Sequence, residues 1–544
     1  MNLRGLGWRP ALALVAGAVL AQSAAAQLTK PVKVTGGLVQ GVPGQDPAIT
    51  VFKGIPFAAP PVGDLRWHAP QPVVPWSGVR LANKFGNSCI QFEVWERKPW
   101  THEFMSHNDI SEDCLYLNVW TPAKSSGEKL PVYVYFYGGG DVEGSSAVAV
   151  YDGEGLAKKG VIVVTPNYRL GIFGHFALPA LTAESPHHSS GNQSELDLIA
   201  ALKWVQNNIA RFGGDPSKVT IGGQSAGSGH VFSMTVTPLA KGLFRGAINE
   251  SGVSASVATA VPGVSGIFAG PGVSLAEGEK KGMEFMDAKG VKSLADLRHL
   301  SWQQIMEPVK GPDGREMSFR GDVIDGYVFP ETARETYDQG KQNDVPTLTG
   351  YNRNDLFGPA PHPEITLAEL QKQVQARYDG MSGEFFKLYP ASNDAEAVTA
   401  YKDSTWDFTR STDYLWAVWR AKTAKTPVYT YFWDHTLPGP DAAKYGAFHT
   451  SEVPYVMNTL DMSDRPFTAE DYRIADTMSS YWANFIKTGN PNGPGLAHWY
   501  STSQKPWTTM ELGNTDAPIP VAGDRAKEAF FTEYFSNPHP RVRP

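Results

Sequence analysis

The segment that most narrows how this chain can fold is Gly223-Gln224-Ser225-Ala226-Gly227. It fits G-x-S-x-G, a strand-to-helix bend too tight for a side chain at either flank, with a serine hydroxyl at its tip. Five residues of this form are weak evidence alone, and the flanking sequence supplies the rest. Lys218-Val219-Thr220-Ile221-Gly222 reads as a short buried strand entering the turn. Ala226 to Met234 reads as a helix start rich in small residues, where the first backbone N–H groups are free to hold an anion. Ser225 is thus a candidate nucleophile; the competing reading is a glycine-rich structural turn.

Around this turn strands and helices alternate. Pro131-Val132-Tyr133-Val134-Tyr135-Phe136 and Val161-Ile162-Val163-Val164 are near-continuous apolar runs, as expected where both faces of a parallel sheet are covered. Ile199, Leu202, Val205 and Ile209 mark one face of a helix. Further strands are expected at Phe244 to Asn249, Val345 to Gly350 and Pro427 to Trp433. A long helix through Tyr481 to Lys487 should stop at Gly489. The order predicts an α/β fold with a mostly parallel sheet between helical layers.

A serine nucleophile needs a base, and the base needs an acid to hold its tautomer. In such sheets the chain order is Ser, then Asp or Glu, then His, on loops that follow strands. Asp355 lies just after the expected strand Val345 to Gly350. His449 and His435 both follow Pro427 to Trp433, and strand order does not decide between them. His362 is too near the acid, and His498 and His539 lie beyond the last clear strand. Tyr137-Gly138-Gly139-Gly140 follows a strand and lets backbone N–H groups approach a ligand, as the HGGG-type oxyanion loop does. No Walker loop, dinucleotide fingerprint or H-E-x-x-H stands in a usable context, and His187-His188 reads as a solvated loop.

The N-terminus carries Arg4, Arg9, an apolar run from Ala11 to Leu20 and Ala24-Ala25-Ala26 ahead of Gln27. This is the pattern of a signal peptide over residues 1–26, too short in its apolar part to span a bilayer. It predicts an exported protein, periplasmic or secreted. Removing Arg4 and Arg9 leaves 46 of the 48 basic residues against 55 acidic ones, a net charge of about −9. That sign argues against nucleic acid and anionic membranes as partners. No linker, repeat or low-complexity tract divides residues 27–544, so one large domain with insertions is expected. Cys89 and Cys114 are the two cysteines, and an exported protein should join them; the alternative is two buried thiols. The loop they enclose carries Phe92, Trp95, Trp100, Phe104 and Met105, which could line a cleft or pack beneath the loop.

The chain resembles the type-B carboxylesterases, the group that includes the cholinesterases. The resemblance rests on Phe52 to Ala58 with Pro60 to Arg66, on Glu112-Asp113-Cys114-Leu115-Tyr116-Leu117-Asn118, and on Phe212-Gly213-Gly214-Asp215-Pro216 through Gly227. Asn167-Tyr168-Arg169, Gly191-Asn192 and Lys487-Thr488-Gly489-Asn490-Pro491 fit as well. It implies an α/β-hydrolase fold with large insertions around the cleft. It also implies Ser225 as nucleophile, Asp355 as acid and His449 as base, since His449-Thr450-Ser451-Glu452 is similar to the family's histidine motif. Gly139, Gly140 and Ala226 would be oxyanion donors, and Cys89–Cys114 the family's first disulfide.

The implied activity is hydrolysis of a small carboxylic ester through an acyl-enzyme, with no metal or organic cofactor. The same fold also serves lipases, amide hydrolases, esterases acting on bulky polyesters, and catalytically dead adhesion modules that typically lack the serine. Four positions depart from the family pattern. Gln224 replaces a usual glutamate, Asp141 a usual aromatic residue, and Ser194 and Glu195 a usual glycine and leucine. Asp141 and Gln224 are therefore candidate substrate contacts. If Asp141 faces the site, its carboxylate should favour short or polar esters, because burying it unpaired costs several kcal/mol.

Overall fold

A computed structural model describes residues 28–92, 96–253, 255, 272–355 and 364–537. The expected signal peptide, Trp95, His362 and His539 lie outside the described residues. The dominant element is an 11-stranded sheet. From one edge its strands are Ala517–Pro520, Thr508–Leu512, Val428–Trp433, Thr347–Asn352, Gly246–Glu250 and Gly214–Gln224. Leu130–Phe136, Ile162–Pro166, Tyr116–Thr121, Thr50–Pro56 and Val42–Pro43 complete it. The strands from Thr508–Leu512 to Ile162–Pro166 run parallel, and antiparallel pairs flank them at both edges.

The reason for this arrangement is visible in the strands themselves. Every residue of Thr347–Asn352 and Val428–Trp433 is buried, so both faces of these strands need helical cover. One cover is the helix Gln193–Asn208, which buries Leu198, Ile199, Leu202 and Val205. Another is Ala469–Thr488, started by a capping box of Thr468 and Asp471 and ended by Gly489 at φ 76°. Its Met478, Trp482, Phe485 and Ile486 join the core against the sheet.

Between Thr347–Asn352 and Val428–Trp433 the chain inserts the helices Leu367–Tyr378, Ser382–Leu388 and Asp394–Arg420. With the terminal helix Arg525–Ser536 they form a second apolar cluster around Phe385, Trp416, Phe530 and Phe531. The two strands after His498 were not anticipated; Thr508–Leu512 pairs parallel to Val428–Trp433 and extends the sheet. Cys89 and Cys114 form a disulfide.

Candidate active site

The sheet brings the functional candidates to one edge because its parallel strands all end there. The strand Gly214–Gln224 runs directly into Ser225, and the helix Ala226–Val236 starts at the next residue. Ser225 has φ 58° and ψ −123°, a left-handed backbone that a residue with a side chain adopts only at a cost. The turn tolerates this because its flanks are glycine. A Cβ on Gly223 would meet the Gly227 carbonyl at 2.6 Å, and one on Gly227 would meet the Phe136 carbonyl oxygen at 2.1 Å. The Ser225 N–H donates to the Glu250 carbonyl at 2.9 Å, which ties the bend to the neighbouring strand.

Asp355 and His449 meet across the ends of two adjacent strands. Asp355 follows Thr347–Asn352, and its Oδ1 pairs with Nδ1 of His449. The other oxygen, Oδ2, accepts from Ser251 Oγ at 2.5 Å and from the Asn352 N–H at 3.0 Å. Partial burial would lower the His449 pKa, but the charge and hydrogen bond of Asp355, with Glu452 adding to them, leave it raised. The His449 carbonyl accepts from Trp100 Nε1 at 3.0 Å. His435, the rival histidine, is engaged elsewhere: its ring contacts Asn514 at 2.8 Å and Asp471 at 3.0 Å.

Ser225 and His449 line one cleft of about 390 Å³. Gly138, Gly139, Gly140 and Gln224 also face it. Among the described residues, the N–H groups of Gly139, Gly140 and Ala226 enter no hydrogen bond. Gln224 Nε2 lies 3.3 Å from Nε2 and 3.4 Å from Nδ1 of His449, so the amide sits beside the ring. Trp100, Phe104 and Met105 come from the disulfide loop and line the cleft wall, whereas Phe92 is exposed. The loop thus does both things open to it, since Trp100 and Phe104 also pack against the core.

Asp141 requires a correction. Its side chain does not reach the cleft; it is buried and turned behind the glycine loop, with Oδ1 3.0 Å from Nε2 of His230. The physical reason is the one that made it conspicuous, since a carboxylate without a partner is too costly to bury and His230 supplies one. The charged groups that do line the cleft are Arg97, Glu143 and Arg320. Arg97 pairs with Glu143, and Arg320 makes no ion pair among the described residues. Ser251 and Arg320 were missed from the sequence; only the position of Ser251 at a strand end beside the strand that leads to Ser225 could have marked it.

A hydroxyl on a strained turn, an imidazole held by a carboxylate, and unpaired N–H groups around a shared cleft form a set suited to acyl transfer. The family model for the "Carboxylesterase family" matches residues 29–531. The chain belongs to the carboxylesterase family. This carboxylesterase is 36% identical to the fumonisin B1 esterase of Sphingopyxis macrogoltabida, over 85% of this chain and 83% of that one. It is 31% identical to the liver carboxylesterase of Sus scrofa, over 90% and 89% of the two chains. Among solved structures, a thermophilic PNB esterase superposes with a TM-score of 0.73 at 28% identity, covering 92% of this chain and 100% of that one. The carboxylesterase therefore has the α/β-hydrolase fold and hydrolyses carboxylic esters.

Proposed function

We propose that this carboxylesterase works through an acyl-enzyme on Ser225, with His449 as general base and Asp355 as the acid that orients it. The observation carrying the reading is that Asp355 occupies Nδ1 of His449, which leaves Nε2, with only the Gln224 amide 3.3 Å from it, as the ring atom to take a proton beside the cleft that Ser225 lines. His449 Nε2 takes the Ser225 proton as Oγ bonds to the ester carbonyl carbon. The resulting oxyanion is held by the N–H groups of Gly139, Gly140 and Ala226. The C–O bond to the alcohol breaks and the alcohol leaves with the proton from His449. Water, deprotonated by His449, then attacks the acyl carbon and releases the acid and Ser225.

The protein acts, in this reading, as one domain over residues 27–544 after export directed by residues 1–26, in the periplasm or outside the cell. The disulfide favours an oxidising compartment, and no helix among the described residues is long and apolar enough to cross a membrane. Relatives named for fumonisin B1 and for cocaine act on different esters, so family membership leaves the substrate open. The cleft itself is walled by Trp100, Phe104 and Met105 and carries the cationic Arg320, which suits an ester with an apolar part and a polar or anionic one.

The test is Ser225→Ala with a fluorophosphonate probe. The variant should fold and lose kcat by roughly 10⁴–10⁶, as a triad acting as a unit implies. Intact mass should show one adduct on the wild type and none on the variant. Full activity in the variant, or labelling of it, contradicts the assignment.

A further inference from the structure

Behind the glycine loop lies a group of ionisable side chains that touches no part of the cleft. Asp141, His175, Glu195, His230 and Asp322 are all more than nine-tenths buried. They come from separate parts of the chain: the end of the glycine loop, the segment after Gly171–Gly174, the helices Gln193–Asn208 and Ala226–Val236, and the stretch before Val323–Ile324. His230 stands at the centre. Its Nδ1 lies 2.6 Å from Glu195 Oε1 and its Nε2 3.0 Å from Asp141 Oδ1, so the ring bridges two carboxyl groups. The Glu195 contact is a hydrogen bond and the Asp141 contact an ion pair without hydrogen-bond alignment, and two carboxylates flanking one ring favour its imidazolium form. Burial opposes that form, and the charges of Glu195 and Asp141 override it to hold the His230 pKa well above its ordinary value.

Three features give the bridge a direction of action. Gly139, Gly140 and Asp141 are consecutive residues at φ 120°, 64° and 62°, and Asp141 alone among them carries a Cβ. The loop does not relax from this conformation because Asp141 is held twice, by its side chain and by its carbonyl, which accepts from Gly171 N–H at 2.6 Å. His230, in turn, is four residues after Ala226 on the same helix and therefore on the same face. One ring thus joins the two segments that carry the Gly139, Gly140 and Ala226 N–H groups. The remaining neighbours complete the packing. The Tyr168 ring meets His230 edge-on at 4.5 Å and its hydroxyl donates to the Tyr137 carbonyl at 2.6 Å. His175 lies 3.9 Å from Asp141 and 3.8 Å from Asp322, and Ser233 donates to Asp322 at 2.9 Å. Among the described residues no three such groups are arranged to hold a metal ion.

We propose that the Asp141–His230–Glu195 bridge is a positioning device that sets the distance between the glycine loop and the start of the nucleophile helix, and so sets the oxyanion hole. The proposal rests on the reading of Gly139, Gly140 and Ala226 as oxyanion donors. None of the three bridge residues touches substrate. They act by keeping N–H groups aimed where charge develops, a task that costs nothing at the moment of reaction if the groups are already in place.

The experiment uses Asp141→Asn and His230→Gln, which keep size and hydrogen-bonding capacity and remove the charge, together with the double variant and Ser225→Ala. Each is assayed for kcat and KM on a p-nitrophenyl ester and for inhibition by a trifluoromethyl ketone, which forms an oxyanion on addition to serine. Each single variant should lose kcat by about 10²–10³ with KM within about threefold, the scale of one lost oxyanion donor. Ketone affinity should fall in parallel with kcat/KM. The double variant should cost no more than the worse single one, because both break the same bridge. A kcat within threefold of wild type in folded Asp141→Asn overturns the proposal, and so does unchanged ketone affinity. Should His230→Gln fail to fold, Asp141→Asn decides alone, because it leaves His230 and Glu195 in contact. Ser225→Ala separates the two readings: activity retained there removes the acyl-enzyme, whereas normal kcat in the bridge variants removes only the bridge.

Discussion

Ser251 donates a 2.5 Å hydrogen bond to Oδ2 of Asp355, the carboxylate oxygen turned away from His449. Ser251 sits at φ 54° just past Gly246–Glu250, and its own N–H donates to the Gly350 carbonyl at 2.8 Å. Asp355 is therefore anchored from the strand that neighbours both its own strand and that of Ser225. Ser251→Ala should leave Asp355 with the Asn352 N–H as its remaining anchor and lower kcat roughly tenfold, the scale of one hydrogen bond to a charged group. Steady-state kinetics check this, with Ser251→Thr expected to recover part of the loss.

As the proposed base, His449 must be neutral to accept a proton, and Asp355 favours its charged form. Activity should therefore fall on acidification with an apparent pKa above the ordinary imidazole value of about 6.5. Asp355→Asn removes the charge that raises it, so the acidic limb of kcat/KM should move to lower pH as the maximum rate drops. A wild-type limb well below pH 6 contradicts the coupling.

Glu250 offers a stability test at the opposite end of the pH range. Burial raises its carboxyl pKa to about 8, against a hydrogen bond from Trp482 that lowers it. Between about 4.5, its ordinary value, and about 8 the folded protein holds a proton that the unfolded chain has released. Stability attributable to this group thus declines as pH rises through that window. Glu250→Gln stays neutral in both states, so its Tm should match wild type near pH 4.5 and exceed it by pH 8.5. A parallel decline in both proteins, read by differential scanning fluorimetry, counts against the assignment.

Arg320 should bear on which esters are taken. It lines the cleft with no carboxylate at ion-pair distance among the described residues, Asp141 acting on it only from farther away, while Arg97 there is neutralised by Glu143. A guanidinium so placed matches a substrate carboxylate. The ratio of kcat/KM for a p-nitrophenyl monoester of glutarate to that for the valerate ester should fall about tenfold or more in Arg320→Gln. An unchanged ratio takes Arg320 out of the selectivity argument.

Much of the site was legible in the sequence because its parts are local. A G-x-S-x-G turn between a strand and a helix specifies its own geometry, since side chains at Gly223 and Gly227 collide with backbone. The parallel sheet followed from apolar runs such as Pro131 to Phe136. The helices of the insertion after Thr347–Asn352 were not read: Asp394–Arg420 packs on the strands Thr347–Asn352 and Val428–Trp433, but much of the apolar surface of the insertion meets other helices, Arg525–Ser536 among them.

The sequence by itself determined the turn, the alternation of strands and helices, and, through resemblance, the residues Asp355 and His449. Only the tertiary structure decided which way Asp141 points, that His230 meets it, that Ser251 anchors Asp355 and that Arg320 reaches the cleft. The Asp141–His230 and Ser251–Asp355 contacts join residues 89 and 104 positions apart. No local propensity encodes such a pairing. A buried charge takes its orientation from whichever partner the packed fold brings within hydrogen-bond reach, and that partner is known only once the chain has folded.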